Sequence, residues 1–215
     1  MDRRIFQGPS ELPKLVELVE QLRSDLRVAY DEIIAGWARA MDMRDQQSEG
    51  HTQRVAAVTV RIGRAMGLPE DALVHVHRGA LLHDIGTILF PDSVLLKRGP
   101  LTDAEWEMVR RHPEYAHTLL SPISQLRQAI DIPYCHHEKW DGTGYPRQLK
   151  GAQIPLAARI FSIVDVWDAL CSERPHRAAW TREEAREYVC DHLGKDFDPE
   201  AGDVFLNLNL ETSLP

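Results

Sequence analysis

The fold class predicted by the sequence is all-α, a bundle of helices joined by short connections. Apolar residues recur at spacings of three and four through most of the chain, and helix-capping signals punctuate those stripes. Sustained alternation with β-branched residues and a hairpin turn is found nowhere. At 215 residues the chain can bury one sizeable core, or a medium domain with a short accessory element.

The first element is an amphipathic helix. Leu12, Leu15, Val19, Leu22, Leu26, Ala29 and Ile33 form an a/d stripe sustained for about three heptads. Glu17, Glu20, Arg23, Asp25 and Arg27 occupy its other faces. Either this stripe pairs two copies as a parallel coiled coil, giving a homodimer that transmits a signal, or the helix folds back on its own domain. Residues 1–33 are therefore set apart as an N-terminal helix and 34–215 as the main domain, with no linker or repeat splitting 34–212.

Further helices follow in order. Val55, Val58 and Ile62 form a stripe closed by Gly67 before Pro69, and Leu73, Val76, Ala80 and His83 form the next. Thr102 with Glu105, and Thr181 with Glu184, read as capping boxes. His112-Pro113 and Asp198-Pro199 each read as an N-cap followed by a first-turn proline. Residues 161–170 are apolar on nearly every face, which predicts a central helix.

Composition narrows the function. No apolar run approaches the roughly 18–20 residues that span a bilayer, so no membrane segment is expected. The segment from Met1 to Lys14 is too polar for a signal peptide, and cytoplasmic residence is expected. Cys135, Cys171 and Cys190 form no CxxC pair, which argues against a disulfide framework or thiolate zinc site. A net charge of −8 disfavours binding to a nucleic-acid polymer. An anionic substrate would then need local positive charge, from metals or arginines. Ten histidines is the oddity.

Several of those histidines stand beside carboxylates in apolar surroundings. His83 continues the stripe of its helix, so His83-Asp84 points inward, and a buried carboxylate is costly unless paired or metal-bound. Gly86 permits a sharp exit from that helix. His136-His137 precede Glu138, Asp141-Gly142, Gly144, Tyr145 and Pro146, a turn-rich loop able to fold beside a site. Adjacent imidazoles diverge by about 100 degrees on a helix but reach one ion that sits off its end. Asp165 lies within the central helix and needs a cation; Asp168, three residues on, suits a partner to a ligand or an arginine. With His51 and His112, this makes five imidazoles and two carboxylates, a donor set for two first-row transition metals such as iron or manganese.

The chain closely resembles the HD-GYP subgroup of the HD phosphohydrolase superfamily. The matching segments begin with His51-Thr52-Gln53-Arg54-Val55, His83-Asp84-Ile85-Gly86 and Arg111-His112-Pro113. His136-His137-Glu138, Asp141 to Pro146, and Val164 to Leu170 complete them in family order, over about residues 34–212. The resemblance implies an HD-domain helical bundle and a phosphoric diester hydrolase cleaving cyclic di-GMP to the linear dinucleotide pGpG, with GMP as a further product. It implies that His51, His83, Asp84 and Asp165 hold one metal and His112, His136 and His137 a second. Asp84 would bridge them and position an attacking hydroxide. Arg174 and Arg177 resemble phosphate contacts, joined by Thr87 and Tyr145; Asp168, Glu138 and Asp141 stand behind the ligands. Tyr145 reads either as a substrate contact or as a loop anchor.

Two departures bear on activity. Gln47 stands where many members have the Glu associated with a third metal, so two ions are expected. Thr87 replaces the usual Lys after the HDIG motif, and losing that cation would cost about 2–4 kcal/mol of transition-state stabilisation. Competing expectations are a weakly active signalling module that binds metal and ligand, and a phosphodiesterase for another cyclic dinucleotide such as cyclic GMP–AMP. His75, His77, His117 and His192 match no ligand segment.

Overall fold

A computed structural model of the chain describes residues 11–45, 50–173 and 178–208. Among these residues the structure is helical, and the single extended pairing is an isolated bridge between Leu193 and Phe197. The all-α expectation holds.

Helix α1 (Glu11–Asp45) is the longest element. Residues 12–29 stand clear of the body, with Leu22 57% and Leu26 58% exposed. Such a helix has little stability in isolation and needs its apolar face covered. The last third docks: Ile34, Ala38 and Met41 are buried in the main core, against α2 and α3. The helix runs unbroken through the expected 33/34 division.

Helix α2 (His51–Ala65) and helix α3 (Glu70–Leu81) form the next pair, joined by Gly67 at φ 84°. The stripe Val55, Val58 and Ile62 is buried as predicted. Helix α3 ends at Leu81, so His83 and Asp84 lie in the turn beyond it, leading into a 3₁₀ turn over Ile85–Leu89. His83 is nonetheless only 4% exposed.

The expectation for Gly86 needs correcting. It sits inside the 3₁₀ turn, and a Cβ there would fall 2.0 Å from the His112 carbonyl oxygen. Glycine is required by close approach to the next helices, not by a change of chain direction.

Helix α4 (Asp92–Leu95) and helix α5 (Asp103–Val109) lead to helix α6 (His112–Leu120). Thr102 and Glu105 form the predicted capping box. On α6 the cap is Arg111 rather than His112, and Pro113 lies in the first turn. Proline fits there because early N–H groups have no intrahelical partner.

Helix α7 (Asp131–Cys135) stops immediately before His136. Helix α8 (Leu156–Cys171) then crosses the interior against α2 and α7, with Ile160, Phe161, Ile163 and Val164 fully buried. Each such side chain contributes about 1.5–3 kcal/mol. Helix α9 (Arg182–Asp191), capped by Thr181 and Glu184, and helix α10 (Pro199–Asn207), capped by Asp198, close the bundle.

Candidate metal centre

Five separate segments converge on one place. His51 opens α2, His83 and Asp84 follow α3, and His112 opens α6. His136 and His137 follow α7, and Asp165 lies midway along α8. Helix ends suit this role because the backbone there can turn a side chain toward a shared point without burying unpaired amides along the way.

The donors fall into two groups whose ligand atoms lie within 4.8 Å of one another: His51, His83 and Asp165, and Asp84, His112, His136 and His137. Asp84 stands between them, with one oxygen 3.2 Å from His83 Nε2 and the other 3.3 Å from His112 Nε2. On the first side, His51 Nε2 lies 3.5 Å from Asp165 Oδ1.

Hydrogen bonds behind the rings fix which nitrogen faces the centre. The Nδ1 atoms of His83, His112 and His136 lie 2.9, 2.8 and 3.0 Å from the carbonyls of Ala80, Val109 and Ile132. A carbonyl only accepts, so each Nδ1 carries hydrogen and each Nε2 points inward. His51 Nδ1 donates instead to Asp168 Oδ2 at 2.7 Å, and Arg54 donates to both oxygens of that carboxylate at 3.0 Å. Asp168 thus partners both a histidine and an arginine.

The Nε2 atoms of His112 and His136 face each other at 3.2 Å. With both Nδ1 atoms committed, two lone pairs oppose one another unless one ring takes up a second proton or a metal ion lies between them. That spacing also suits two nitrogens each about 2.1 Å from one ion. The donor set of imidazoles and carboxylates without thiolates therefore fits first-row transition metals.

Charge differs between the groups. Burial works against protonation of His51, yet hydrogen bonds to Asp165 and Asp168 raise its pKa to about 10. His83 is likewise opposed by burial but raised to about 9 by Asp84. Asp165 is held at about 2 by His51 and His83 despite its burial. Asp84 stays well below the carboxylate range, burial being overcome by His83, His136 and His112. His112 falls to about 4 and His137 well below normal, first from burial and then, for His137, from the neighbouring imidazoles.

The other predicted residues divide. The Tyr145 ring stacks on His137 at 4.7 Å, and its amide donates to the His137 carbonyl. Glu138 is buried and accepts from the amides of Arg147 and Leu149, so it holds the loop instead of touching a ligand. A Cβ on Gly144 would lie 2.3 Å from the Lys139 amide nitrogen, which is why the loop can press so close. Asp141 accepts from Thr143 in a local turn and is not brought to the cluster.

Thr87 is buried and donates its hydroxyl to Asp45 at 3.0 Å, turning toward α1. Asp45 in turn has its pKa pushed up to about 6, chiefly by burial. Arg174, Arg177 and Gln47 lie outside the described residues. Sequence reading missed the role of Arg54; its place three residues after His51, on the same helical face, was the available signal.

The HD domain family matches residues 37–201. The chain is 40% identical over 205 residues to the cyclic di-GMP phosphodiesterase response regulator RpfG of Xanthomonas campestris pv. campestris, covering 93% of this chain and 54% of that protein. It is 35% identical over 201 residues to a 3′3′-cGAMP-specific phosphodiesterase 2 of Vibrio cholerae, covering 90% and 38% respectively. The chain thus spans from about two fifths to just over half the length of these relatives. The solved cyclic GMP-AMP specific phosphodiesterase V-cGAP3 of V. cholerae shares the fold, with a TM-score of 0.58 at 24% identity over 80% of this chain and 47% of that one.

Proposed function

The chain belongs to the HD domain family, among its HD-GYP-type members, and from that premise we propose that it is a phosphodiesterase for cyclic dinucleotides, with cyclic di-GMP as substrate. The observation that carries this is the pair of facing imidazole nitrogens of His112 and His136 beside the Asp84 carboxylate. His51, His83, Asp84 and Asp165 would hold one ion, and His112, His136 and His137 a second, with Asp84 shared. Iron or manganese suits these donors. Such ions, when bound, acidify water and neutralise charge on phosphoryl oxygens.

The chain's own residues prepare the site. Carbonyls of Ala80, Val109 and Ile132 hold three rings with Nε2 inward, and Asp168 does the same for His51. Tyr145 covers one face of His137 and excludes water there. Glu138 and Asp141 brace the loop that carries Tyr145. Arg174 and Arg177 are proposed to meet the substrate phosphates. Cleavage of one phosphodiester bond gives linear pGpG.

The same reading includes a homodimer through α1, whose apolar stripe is exposed, and action in the cytoplasm, where its free cysteines stay reduced. Among the described residues no helix is long and apolar enough to cross a membrane. Thr87 supports a second reading, a weakly active signalling module: its hydroxyl is occupied by Asp45 and offers no cation to a phosphate.

The test is hydrolysis by anaerobically purified protein loaded with ferrous iron or manganese, with cyclic di-GMP and 3′3′-cGAMP compared. Turnover of cyclic di-GMP that vanishes in Asp84→Ala is expected. Preference for 3′3′-cGAMP would move the substrate assignment. Tight binding without product would favour the signalling module.

A further inference from the structure

The last turn of α1 grips both segments that follow ligands at the near side of the cluster. Asp42 accepts the hydroxyl of Thr52, the residue next to His51. Asp45 accepts the hydroxyl of Thr87 at 3.0 Å, within the 3₁₀ turn that follows Asp84. Arg44 reaches the same turn from outside, donating to the carbonyls of Thr87 at 3.0 Å and Phe90 at 2.7 Å.

These contacts link residues more than forty positions apart for Thr87 and Phe90. They meet a 3₁₀ turn whose other side is pressed against α6, where a Cβ on Gly86 would fall 2.0 Å from the His112 carbonyl oxygen. Only Ile85 and Gly86 separate Asp84 from Thr87, the turn being closed by the Thr87 amide bonding to the Asp84 carbonyl at 2.9 Å. Short 3₁₀ turns have poorer hydrogen-bond geometry than an α-helix and follow what they are anchored to. A cavity of about 10 Å³, roughly one water in size, lies between Asp42, Asp45, Thr52, His83 and Asp84.

We propose that the end of α1 is a positioning element for the metal centre: Arg44, with Asp42 and Asp45, sets Asp84 and His51 in place through Thr87 and Thr52. This rests on the cluster binding metal as proposed above. The hydrogen bonds of Arg44 go to Thr87, Phe90 and Asp92, not to a ligand side chain, so it acts by fixing the turn that aims the shared carboxylate. Its planar fork spans two carbonyls at once from separate nitrogens, a geometry that an ammonium group reproduces only in part.

A second anchor of α1 supplies the control. Arg78, buried on α3, donates from Nε to Asp31 at 2.7 Å and holds the same helix to the body at the other end of its docked part. If Arg44 merely fastened α1, losing either arginine would have similar consequences for the cluster.

The experiment is titration of the full chain with Mn²⁺ alone, followed by cyclic di-GMP kinetics, for Arg44→Ala, Arg44→Lys, Thr52→Val and Arg78→Leu, with thermal melts of each. Thr52→Val is nearly isosteric and serves if Arg44→Ala fails to fold. Arg44→Ala and Thr52→Val are expected to weaken Mn²⁺ binding by about 10–100-fold, the range for groups behind metal ligands. In Arg44→Ala kcat falls while KM changes by no more than about threefold, since an interaction made only in the transition state is what misplacement of Asp84 removes. Arg44→Lys recovers part of the loss, and Arg78→Leu lowers the melting temperature without changing Mn²⁺ affinity.

Unchanged Mn²⁺ binding in Arg44→Ala, or an equal loss in Arg78→Leu, overturns the positioning role while leaving the metal site standing. A parent chain that binds no Mn²⁺ overturns both.

Discussion

The two donor groups at the centre face each other across one carboxylate, yet they are built differently. His51, His83 and Asp165 form a charge-rich side, where carboxylates surround the rings and Arg54 and Asp168 stand behind His51. His112, His136 and His137 form an imidazole-rich side, braced by carbonyls and the Tyr145 ring. Without an ion, the first side keeps its protons near neutrality, with His51 at about 10 and His83 at about 9. On the second side His112, at about 4, is already neutral. One side is pre-charged by protons that a bound metal would have to displace, and on the other burial keeps His112 and His137 from taking up protons.

Asp84 belongs to both sides, so removing it should abolish the difference by disabling each. Asp84→Ala is expected to lose both ions on desalting and to lower turnover by about a thousandfold or more, an effect of the size seen when a key electrostatic group is removed. Metal analysis alongside kinetics checks this; retention of two ions would show the sides to be independent.

A selective change sharpens the contrast. Asp168→Asn keeps the shape but removes the charge behind His51, and affinity for one ion should fall by about 10–100-fold while the other is unaffected. Equal loss of both ions in a Mn²⁺ titration would mean that the two groups load as one unit.

The pH dependence of loading follows from the same protons. Each proton displaced makes affinity rise about tenfold per pH unit, so the first side should gain at least that between pH 6 and 8. On the second side His112, at about 4, has no proton to release in that range, so the pH slope there should be shallower. In the metal-free protein the sign for stability is the reverse. His51 and His83 have raised pKa values, so their support is complete below the unfolded histidine value of 6.5 and is lost as pH climbs through about 9 and 10. Parallel slopes for the two ions, measured by equilibrium dialysis across that range, would break the comparison.

The smallest effect concerns Asp45, which sits beyond the charge-rich side. Its pKa is raised to about 6, mainly by burial, so the folded state binds a proton that the unfolded chain has released. The contribution of Asp45 to the stability of the metal-free protein therefore falls as pH rises from about 4 to 6. Asp45→Asn should flatten that fall and gain about 1 kcal/mol at neutral pH, the shift being discounted for partial solvent screening. Urea unfolding at pH 4.5 and 7 measures it, and a loss of stability at pH 7 would mean that the charge is compensated.

Much of this was readable from sequence. The capping boxes at Thr102 and Thr181 and the stripe on α2 formed as the spacing predicts, because they depend on neighbours within a turn or two. The histidines and carboxylates that stand in the two groups are those the sequence singled out, since metal donors are few in type and these lie where apolar surroundings make them costly otherwise. Gly86 was singled out for the wrong reason: its crowding comes from the His112 carbonyl, on a helix that sequence spacing cannot bring near.

What the sequence by itself determined was the class of fold, the helix caps and the chemistry of the donors, all set by local spacing and residue type. Only the tertiary structure decided which way each side chain turns. Thr87 serves Asp45, Glu138 braces the loop amides, Asp141 closes its own turn, and Arg44 holds the segment after Asp84. Local periodicity fixes the face of a helix, but a residue at a junction takes its direction from the distant segment packed against it, and that contact exists only once the chain has folded.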